Sequence, residues 1–346
     1  MNSYIICILM SAISMYFMTK LAIRLSKKTA FYAMPKNRNM HTKPTPVLGG
    51  LALLMSILVN VLMFTQWDWG PVMIGGVGAI LIFFIGLYDD KYEIQPWLKI
   101  GLQSMVITWL FMNGIRIDFI TWPTSASPMF FTPIVSFIIT QCWMIIIINM
   151  FNIIDGIDGL AVGISCLTSI MLFFVSLSAS PLIITYLLCS IIGSTGMFLK
   201  FNFYPAKIFL GDSGALLLGY LFALCSILGV LKSTVSFLIL LFVFAIPIMD
   251  LVLSVLRRGL KRRNIFYPDL EHIHHQLVRR GLSVRKTAII LYVISGVFGL
   301  IAITSALDSN IIKITIGGAL FFGVLIYFSF LQMSNKRFKA LKKNSS

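Results

Sequence analysis

The sequence predicts an all-α integral membrane protein, with about eleven transmembrane helices arranged as a single domain over residues 1–346. Hydrophobic residues make up 58% of the chain and charged residues 12%, and the mean hydropathy is +0.92. Soluble globular domains are about 25% charged, so this composition excludes that class. Apolar stretches of the roughly 17–25 residues that cross a bilayer recur along the chain. They lie at about 2–19, 47–65, 72–88, 98–114, 131–148, 160–177, 181–198, 214–231, 234–253, 287–307 and 310–331.

The positions of lysine and arginine predict how these spans are oriented. With alternating spans, 25 of the 28 basic residues fall on one side of the membrane, and Arg116, Lys232 and Lys313 fall on the other. Because cytoplasmic loops carry the excess of lysine and arginine, the N-terminus is predicted to lie outside and the C-terminus in the cytoplasm. The net charge of +16 therefore reports topology and attraction to anionic headgroups, and nucleic acid is not an expected partner.

Acidic residues gather on the predicted cytoplasmic face. The third span ends at the paired carboxylates Asp89 and Asp90, and Lys99 opens the next span. Paired acids at the end of a membrane span are costly to place there, and they repel each other unless a cation lies between them. A functional site is one interpretation of this loop, and a pair of exposed acids at a helix end is the other.

The segment after the fifth span carries two asparagines and two aspartates, Asn149, Asn152, Asp155 and Asp158, at three-residue steps. A glycine follows each aspartate, which predicts that the segment opens from a helix into a loop. This loop contains no lysine or arginine, so its carboxylates require donors or a metal from elsewhere in the protein. The pattern favours a functional site over a purely structural one.

The segment after the seventh span ends with Asp212, which lies between two glycines at the start of the eighth span. A carboxylate is favoured at a helix N-terminus and is a hard oxygen ligand suited to Mg²⁺, whereas a simple N-cap is the alternative. Asn202 and the aromatic Phe209 precede it in the same segment. Aromatic residues here are interpreted as interfacial belt residues, or one of them as a surface on which a base stacks.

Histidine and lysine residues in two cytoplasmic loops predict binding of phosphate groups. His272, His274 and His275 fall within four residues, in a loop rich in arginine. Zinc is one interpretation of these histidines, but no cysteine is nearby, and the arginines favour a phosphate-rich substrate. Lys43, in the loop before the second span, is placed to hold a phosphate as a point charge or is a routine interfacial lysine.

Together, the cytoplasmic loops contain the side chains that phosphoryl transfer needs. Carboxylates hold Mg²⁺, and the metal and the basic side chains neutralise a diphosphate, so little covalent chemistry is left to the protein. A soluble enzyme does not need eleven spans, which predicts that one substrate is a lipid at the inner leaflet. The active site is therefore expected in the cytoplasmic loops.

Five segments, in order and between the expected spans, resemble the motifs of the polyprenyl-phosphate N-acetylhexosamine-1-phosphate transferases. They are His41–Gly50, Asp89–Lys99, Asn149–Ala161, Asn202–Gly214 and His272–His275. This family includes bacterial enzymes that start wall teichoic acid and O-antigen synthesis, and the phospho-MurNAc-pentapeptide translocase of peptidoglycan synthesis. The resemblance implies transfer of a sugar 1-phosphate from a UDP-sugar to undecaprenyl phosphate, with release of UMP, at the cytoplasmic face of a bacterial plasma membrane.

The resemblance also implies a role for each matching residue. Mg²⁺, or alternatively Mn²⁺, is expected to be held by Asp212, Asn152 and Asp90. The residues expected to act in catalysis are Asp89, Asp90, Asp212, His274 and His275. The residues expected to bind the substrates are Lys43, Lys99, Asn152, Asp155, Asp158, Asn202, Phe209 and His272. Among these, the uridine is expected at Asp155, Asp158, Asn202 and Phe209, and phosphate groups at the two lysines and the histidines.

The sugar is predicted from the histidine motif. The order His-Ile-His-His resembles the teichoic-acid and O-antigen branch, which favours UDP-N-acetylglucosamine (UDP-GlcNAc) as donor. The pentapeptide translocase branch reads His-His-His-Phe-Glu and is the alternative within the family.

A transporter is the alternative from another class. Transporters place ionisable groups near the bilayer midplane. Here only Asp250 lies within a predicted span, near its cytoplasmic end, and it is interpreted as making a helix-packing hydrogen bond. The transporter interpretation is therefore disfavoured. The oligomeric state is left open, and a homodimer is one alternative.

Overall fold

The protein is built almost entirely from helices. The computed structural model describes residues 2–33, 44–64, 69–120, 128–177, 181–229, 240, 242–260, 272–307 and 316–327. The helices of this part of the chain are α1 (Asn2–Thr29), α2 (Gly49–Phe64), α3 (Trp69–Tyr92), α4 (Pro96–Met112), α5 (Pro133–Ile154), α6 (Leu160–Ser176), α7 (Leu182–Asn202), α8 (Gly211–Leu228), α9 (Ala245–Leu260), α10 (Ile273–Arg279), α11 (Val284–Leu307) and α12 (Ile316–Tyr327). Two short antiparallel strand pairs accompany them, β1 (Tyr32–Ala33) with β2 (Thr45–Pro46) and β3 (Phe119–Ile120) with β4 (Met129–Phe130).

Many of these helices have the length and composition of membrane spans. Within the described residues, six helices are long and apolar enough to cross a membrane, namely α1, α3, α5, α7, α8 and α11. The shorter helices α2, α6, α9 and α12 are also apolar. Each of the eleven predicted spans overlaps one described helix, so the prediction of an all-α membrane protein is confirmed. The number of crossings and their direction stay predictions.

Several helices extend beyond the predicted spans, and in α3 this moves the paired acids. α1 continues through a basic segment to Thr29, and α3 continues past its apolar run to Tyr92. Asp89 and Asp90 therefore lie on the last turn of a helix and not in a loop, which corrects the sequence interpretation. The reason is that an apolar run marks the stretch of chain suited to hydrocarbon, whereas a helix continues for as long as its residues favour it.

α8 forms the centre of the described helices. Every residue from Ser213 to Ile227 is buried, as expected for a helix that is apolar on all faces. α8 packs against α2, α3 and α5, while α1 packs along α7 and α11 packs against α6. Phe151 of α5 stacks on Phe222 of α8, with ring centroids 4.8 Å apart. This packing fixes the N-terminus of α8 relative to α3 and α5.

Two glycines allow the N-terminal end of α8 to approach its neighbours closely. A Cβ atom on Gly86 of α3 would overlap the backbone of Ser213, and one on Gly50 of α2 would lie 2.5 Å from the amide nitrogen of Gly214. Only glycine leaves room for this approach. The Gly50 amide also donates a hydrogen bond to the carbonyl of Leu210 at 2.9 Å. The ends of α3 and α8 that carry aspartates are thereby brought together.

Candidate active site

Lys99 lies at the centre of a cluster of side chains from four helices. Its ammonium nitrogen is 2.5 Å from Oδ2 of Asp89 on α3, 3.0 Å from Oδ1 of Asn152 on α5, and 3.0 Å from Oδ2 of Asp212 on α8. Lys99 itself is on the first turn of α4 and is 8% exposed. The structure thus brings together four residues that are far apart in sequence, and all four were predicted site residues.

Further hydrogen bonds hold this cluster in place. Asn152 Nδ2 donates to Oδ1 of Asp212 at 2.9 Å, so the amide bridges the lysine and the aspartate. Asp89 Oδ1 accepts from the backbone amide of Ile94 at 2.9 Å, which ties the carboxylate to the bend after α3. Two carboxylates face one ammonium, so the cluster carries a negative charge in excess. A second cation is therefore electrostatically favoured here.

Asp90 has a different environment from Asp89. Its two carboxylate oxygens accept hydrogen bonds from the backbone amides of Asp212 at 2.7 Å and Ser213 at 3.0 Å. These amides belong to the first turn of α8, where helical amides lack partners within the helix. Asp90 thus caps α8 from another helix. Asp212 therefore does not act as the simple N-cap considered from the sequence, and its side chain is directed into the cluster.

Gly211 makes this capping contact possible. Its φ of +74° lies in the left-handed region, and a Cβ atom there would be 2.8 Å from Oδ2 of Asp90. A larger residue at this position would be strained and would displace the carboxylate. The role of Asp90 as a metal ligand or catalytic residue stays a prediction.

The loop predicted after Asn152 is present as a turn between α5 and α6. Asp158 Oδ2 accepts a hydrogen bond from the amide of Ala206 at 2.9 Å. Asn202 Oδ1 accepts from the amide of Gly159 at 3.1 Å, and Asn202 Nδ2 donates to the carbonyl of Ile208 at 2.9 Å. These contacts join the Asp155–Gly159 turn to the segment before α8. In these three hydrogen bonds Asp158 and Asn202 contact the protein backbone, and their contact with uridine stays a prediction.

Asp155 lies where negative charge accumulates. Burial raises the pKa of its carboxyl well above the usual range, and the charges of Asp212, Asp90 and Asp158 add to this shift. The carboxylates of the α3 end, the α5 end and the α8 start therefore repel one another electrostatically. A divalent cation or a cationic group of the protein relieves such repulsion.

The donor set fits a hard divalent cation. Within the described ranges, no group of three or more His, Cys, Asp or Glu side chains is arranged as a ready-made metal site. The oxygens of Asp89, Asn152 and Asp212 nevertheless converge on one cationic atom, the Lys99 ammonium nitrogen. Carboxylate and amide oxygens are ligands that Mg²⁺ takes in proteins. The cluster has two carboxylates and one ammonium, so it carries a net negative charge that a cation would balance. Asp212 and Asn152 would be the residues to hold it, and this assignment stays a prediction.

The histidine motif lies around the start of α10. His272 precedes the helix, and His274 is 1% exposed within it. Both face Asp250 of α9, which accepts a hydrogen bond from the amide of Ile273 at 2.9 Å. The interpretation of Asp250 as making a helix-packing hydrogen bond is confirmed, although its proximity to the histidines was missed. The signal was a carboxylate near the predicted cytoplasmic end of a span, in a chain with three clustered histidines.

Two further residues at the site were not predicted. Tyr292 of α11 donates a hydrogen bond from its hydroxyl to the carbonyl of Gly159 at 2.6 Å, which braces the Asp155–Gly159 turn. Gln103 of α4 accepts from Nδ2 of Asn149 at 2.7 Å and so joins α4 to α5 below the cluster. Neither residue stands out in the sequence, because both lie inside apolar runs.

Three predicted residues remain to be placed, and the first of them, His275, lies on α10 with its ring centroid 4.3 Å from that of His274. Lys43 lies outside the described residues, so its predicted phosphate contact is untested. Phe209 is half-buried, and its backbone amide donates to the carbonyl of Pro46 at 2.8 Å. This hydrogen bond joins the segment before α8 to the start of α2.

Comparison with known proteins identifies the family. Residues 72–230 match glycosyl transferase family 4. The chain is 33% identical over 301 residues to a probable undecaprenyl-phosphate N-acetylglucosaminyl 1-phosphate transferase of Bacillus subtilis (strain 168), covering 86% of this chain and 84% of that protein. It is 31% identical over 322 residues to a decaprenyl-phosphate N-acetylglucosaminephosphotransferase of Mycobacterium leprae (strain TN), covering 84% and 80%.

A third relative shows a similar likeness. The chain is 30% identical over 296 residues to an undecaprenyl-phosphate alpha-N-acetylglucosaminyl 1-phosphate transferase of Thermotoga maritima, covering 85% of this chain and 88% of that protein. The likeness spans the helices that carry the cluster and extends over most of each protein. The chain therefore belongs to glycosyl transferase family 4, the polyprenyl-phosphate N-acetylhexosamine-1-phosphate transferases.

Proposed function

We propose that this protein transfers N-acetylglucosamine 1-phosphate from UDP-GlcNAc to undecaprenyl phosphate, releasing UMP. The observation that carries the proposal is the convergence of Asp89, Asn152 and Asp212 on Lys99. Such a cluster suits phosphoryl transfer, in which positioning and charge neutralisation supply most of the catalysis. The names of the relatives support N-acetylglucosamine as the sugar and a polyprenyl phosphate as acceptor.

Mg²⁺ held by Asp212 and Asn152, with Asp90 as a third expected ligand, would neutralise the diphosphate of the donor. Lys99 then supplies a fixed positive charge beside the carboxylates, which orients a phosphate group without adding a proton-transfer step. The histidines around α10 and Lys43 are expected to hold further phosphate oxygens. Asp155, Asp158, Asn202 and Phe209 are expected to hold the uridine.

The role of Asp89 follows from the chemistry of the acceptor. A phosphate monoester has its second pKa near about 6, so the lipid phosphate is largely dianionic at neutral pH. A general base at Asp89 therefore contributes less than positioning does. The carboxylate is also already paired with Lys99 at 2.5 Å. We infer direct attack of the lipid phosphate on the sugar-linked phosphorus, with an aspartyl-phosphate intermediate as the alternative.

The proposed location follows from the charge distribution. The helix ends that form the cluster lie on the predicted side of the membrane whose loops together hold 25 of the 28 lysine and arginine residues, so the cluster is expected to face the cytoplasm of a bacterial cell. The acceptor lipid would then reach the site from the inner leaflet of the plasma membrane. The product would start a cell-envelope polysaccharide such as wall teichoic acid or O-antigen.

The test is UMP release by the purified protein in detergent with undecaprenyl phosphate and Mg²⁺. UDP-GlcNAc and UDP-MurNAc-pentapeptide are supplied in parallel, and each reaction is repeated without lipid and with a chelator. We expect UMP from UDP-GlcNAc alone, and only when both lipid and metal are present. Release from the pentapeptide donor alone would move the protein to the translocase branch.

A variant pair assigns the activity to the cluster. Asp212→Asn should reduce turnover to below about 1%, because it removes the charge that holds the metal. Asp118→Asn is the matched control. Asp118 is exposed, it lies outside the cluster, and its Oδ1 is 2.9 Å from Nε of Arg116. Full activity in Asp212→Asn would contradict the metal assignment.

A further inference from the structure

A buried carboxylate outside the Lys99 cluster holds the histidine segment. Asp250 is 2% exposed, and its Oδ1 accepts a hydrogen bond from the amide of Ile273 at 2.9 Å. Its Oδ2 lies 3.3 Å from Nδ1 of His272 and 3.8 Å from Nδ1 of His274. One carboxylate thus faces the start of α10 and two of the three histidines. Among the described residues, Asp250 Oδ2 and His272 Nδ1 have no hydrogen-bond partner, so the carboxylate meets the imidazoles at ion-pair distance, and the hydrogen bond from Ile273 joins α9 to α10.

The same contacts favour one arrangement of the imidazole rings. A carboxylate beside Nδ1 favours a proton on that nitrogen and orients the ring. The rings of His272 and His274 lie nearly parallel, with an interplanar angle of 7° and centroids 5.8 Å apart. Since Nδ1 of each ring is the atom that approaches Asp250 Oδ2, both rings present the same edge to it.

The opposite edge of His274 packs against the turn after α5. A Cβ atom on Gly156 would overlap the Nε2 edge of this ring, so the contact requires a glycine. Within the described residues, Nε2 of His274 is buried without a hydrogen-bond partner. Gly156 lies between Asp155 and Asp158, the two aspartates of the Asp155–Gly159 turn. The His274 ring thus lies between the Asp250 carboxylate on one side and the Asp155–Gly159 turn on the other.

We propose that Asp250 is a positioning residue for the transfer reaction, which orients His272 and His274 against the Asp155–Gly159 turn. The inference rests on the proposed function, since the histidines and the turn are the groups expected to hold the phosphates and uridine of the donor. Asp250 lies behind the histidines and acts through them. A carboxylate that only stabilised packing would not need to face two imidazole nitrogens.

Two replacements of Asp250 separate its contacts. Asp250→Asn keeps an oxygen that accepts from Ile273 but loses the charge that faces the histidines, whereas Asp250→Leu loses both. Ser254→Ala is the matched control, because it removes a buried polar group one turn further along α9. Each full-length protein is purified in detergent. The melting temperature, kcat and the donor KM are measured, together with the side-chain ¹⁵N spectrum of the four histidines.

Asp250→Asn should melt close to the wild-type temperature, since the backbone hydrogen bond is kept. Its kcat/KM should fall about ten- to a hundredfold, because misplaced groups lose catalytic efficiency steeply. The ring nitrogen signals of His272 and His274 should shift together. Asp250→Leu should in addition melt at a lower temperature, and Ser254→Ala should keep wild-type ring signals and kinetics.

A replacement on the other side of the ring provides a second test. Gly156→Ala leaves Asp250 intact but displaces His274, so it should shift the His274 signals and lower kcat/KM. This variant decides the matter if Asp250→Asn does not fold. Unchanged kinetics, or unchanged ring signals, in a folded Asp250→Asn protein would overturn the proposal and leave Asp250 as a packing residue.

The test of Asp250 and the test of the proposed function can fail independently of each other. If the wild-type protein releases no UMP with UDP-GlcNAc and undecaprenyl phosphate, the proposed function fails. The ¹⁵N spectra need no turnover and still report whether Asp250 sets the imidazole arrangement. Wild-type ring signals in Asp250→Asn would contradict the positioning role under any substrate.

Discussion

Lys99 joins three oxygen atoms from three other helices, and its ammonium group is largely shielded from water. Each of these oxygens would repel its neighbours if the lysine were absent. Breaking a buried ion pair by removing one partner costs about 3–5 kcal/mol, because the remaining charge stays buried. The lysine is therefore important for both the fold of the site and its chemistry.

Lys99→Met, which keeps the length of the side chain and removes its charge, should lower turnover at least about 100-fold and reduce the melting temperature. UMP release and thermal unfolding in detergent measure the two effects. Lys91→Met is the control, because Lys91 is exposed and its ammonium lies over the Tyr92 ring, 5.1 Å from the centroid. A Lys99→Met protein with wild-type turnover would contradict the role of the cluster.

His274 makes the fold sensitive to acid. Burial lowers the pKa of its imidazole to about 3, although Asp250 opposes the shift. The unfolded side chain titrates near about 6.5, so between these values the unfolded chain binds a proton that the folded chain excludes. The stability contribution is complete above pH about 6.5 and is lost as the pH falls, by up to about 1.4 kcal/mol per pH unit.

The measurement is the melting temperature between pH about 6.5 and 4.5, compared for the wild type and His274→Gln. The wild-type melting temperature should fall more steeply with acidification, since the variant has lost the buried titrating ring. Equal slopes in the two proteins would show that His274 does not contribute to acid sensitivity.

Individual site residues were predictable to the extent that they interrupt apolar runs. Asp89, Asp90, Asn152 and Asp212 were found because polar residues at the ends of spans are costly. Their common contact with Lys99 was not predictable, because it depends on how α3, α4, α5 and α8 pack. Tyr292 was missed for a related reason, since its hydroxyl lies in an apolar helix and gives no signal.

At the scale of helices, the close packing of α3 on α8 places Asp89 and Asp90 beside Asp212. At Gly86 of α3 this approach leaves no room for a side chain, because a Cβ atom would overlap the Ser213 backbone. The hydrogen bonds from the first turn of α8 to Asp90 depend on the same approach. The sequence indicated both helices, but not that they meet at this glycine.

Gly86→Ala should therefore lower the melting temperature and reduce turnover, because α3 and α8 must move apart. Gly76→Ala is the matched control on the same helix, since a Cβ atom there meets nothing within 4 Å. It should keep wild-type stability and activity. Equal effects of the two replacements on melting temperature and turnover would contradict the close approach.

At the scale of the whole molecule, the apolar runs identified the membrane class and located the helices, whereas helix ends were less well predicted. α3 continues to Tyr92 and α1 to Thr29, beyond the apolar stretches, because hydropathy does not report where a helix stops. The orientation was predicted from charge alone, and helix packing carries no information about which side is the cytoplasm.

The predicted orientation leads to a test with reporters. A reporter fused after Ser346 should be active only as a cytoplasmic fusion, and one fused before Met1 only as an external fusion. The asymmetry of lysine and arginine is the physical reason. An externally active reporter after Ser346 would overturn the topology and move the Lys99 cluster to the outer face.

The decisive question is whether the sugar moves with its phosphate. UDP-GlcNAc labelled with ³²P at the β-phosphate, incubated with the protein, undecaprenyl phosphate and Mg²⁺, distinguishes the two kinds of transfer. Transfer of the sugar 1-phosphate carries the label into the lipid fraction and releases unlabelled UMP, and this is the result we predict. Label that stays in the aqueous phase as UDP, with unlabelled sugar on the lipid, would contradict phosphoryl transfer at the Lys99 cluster.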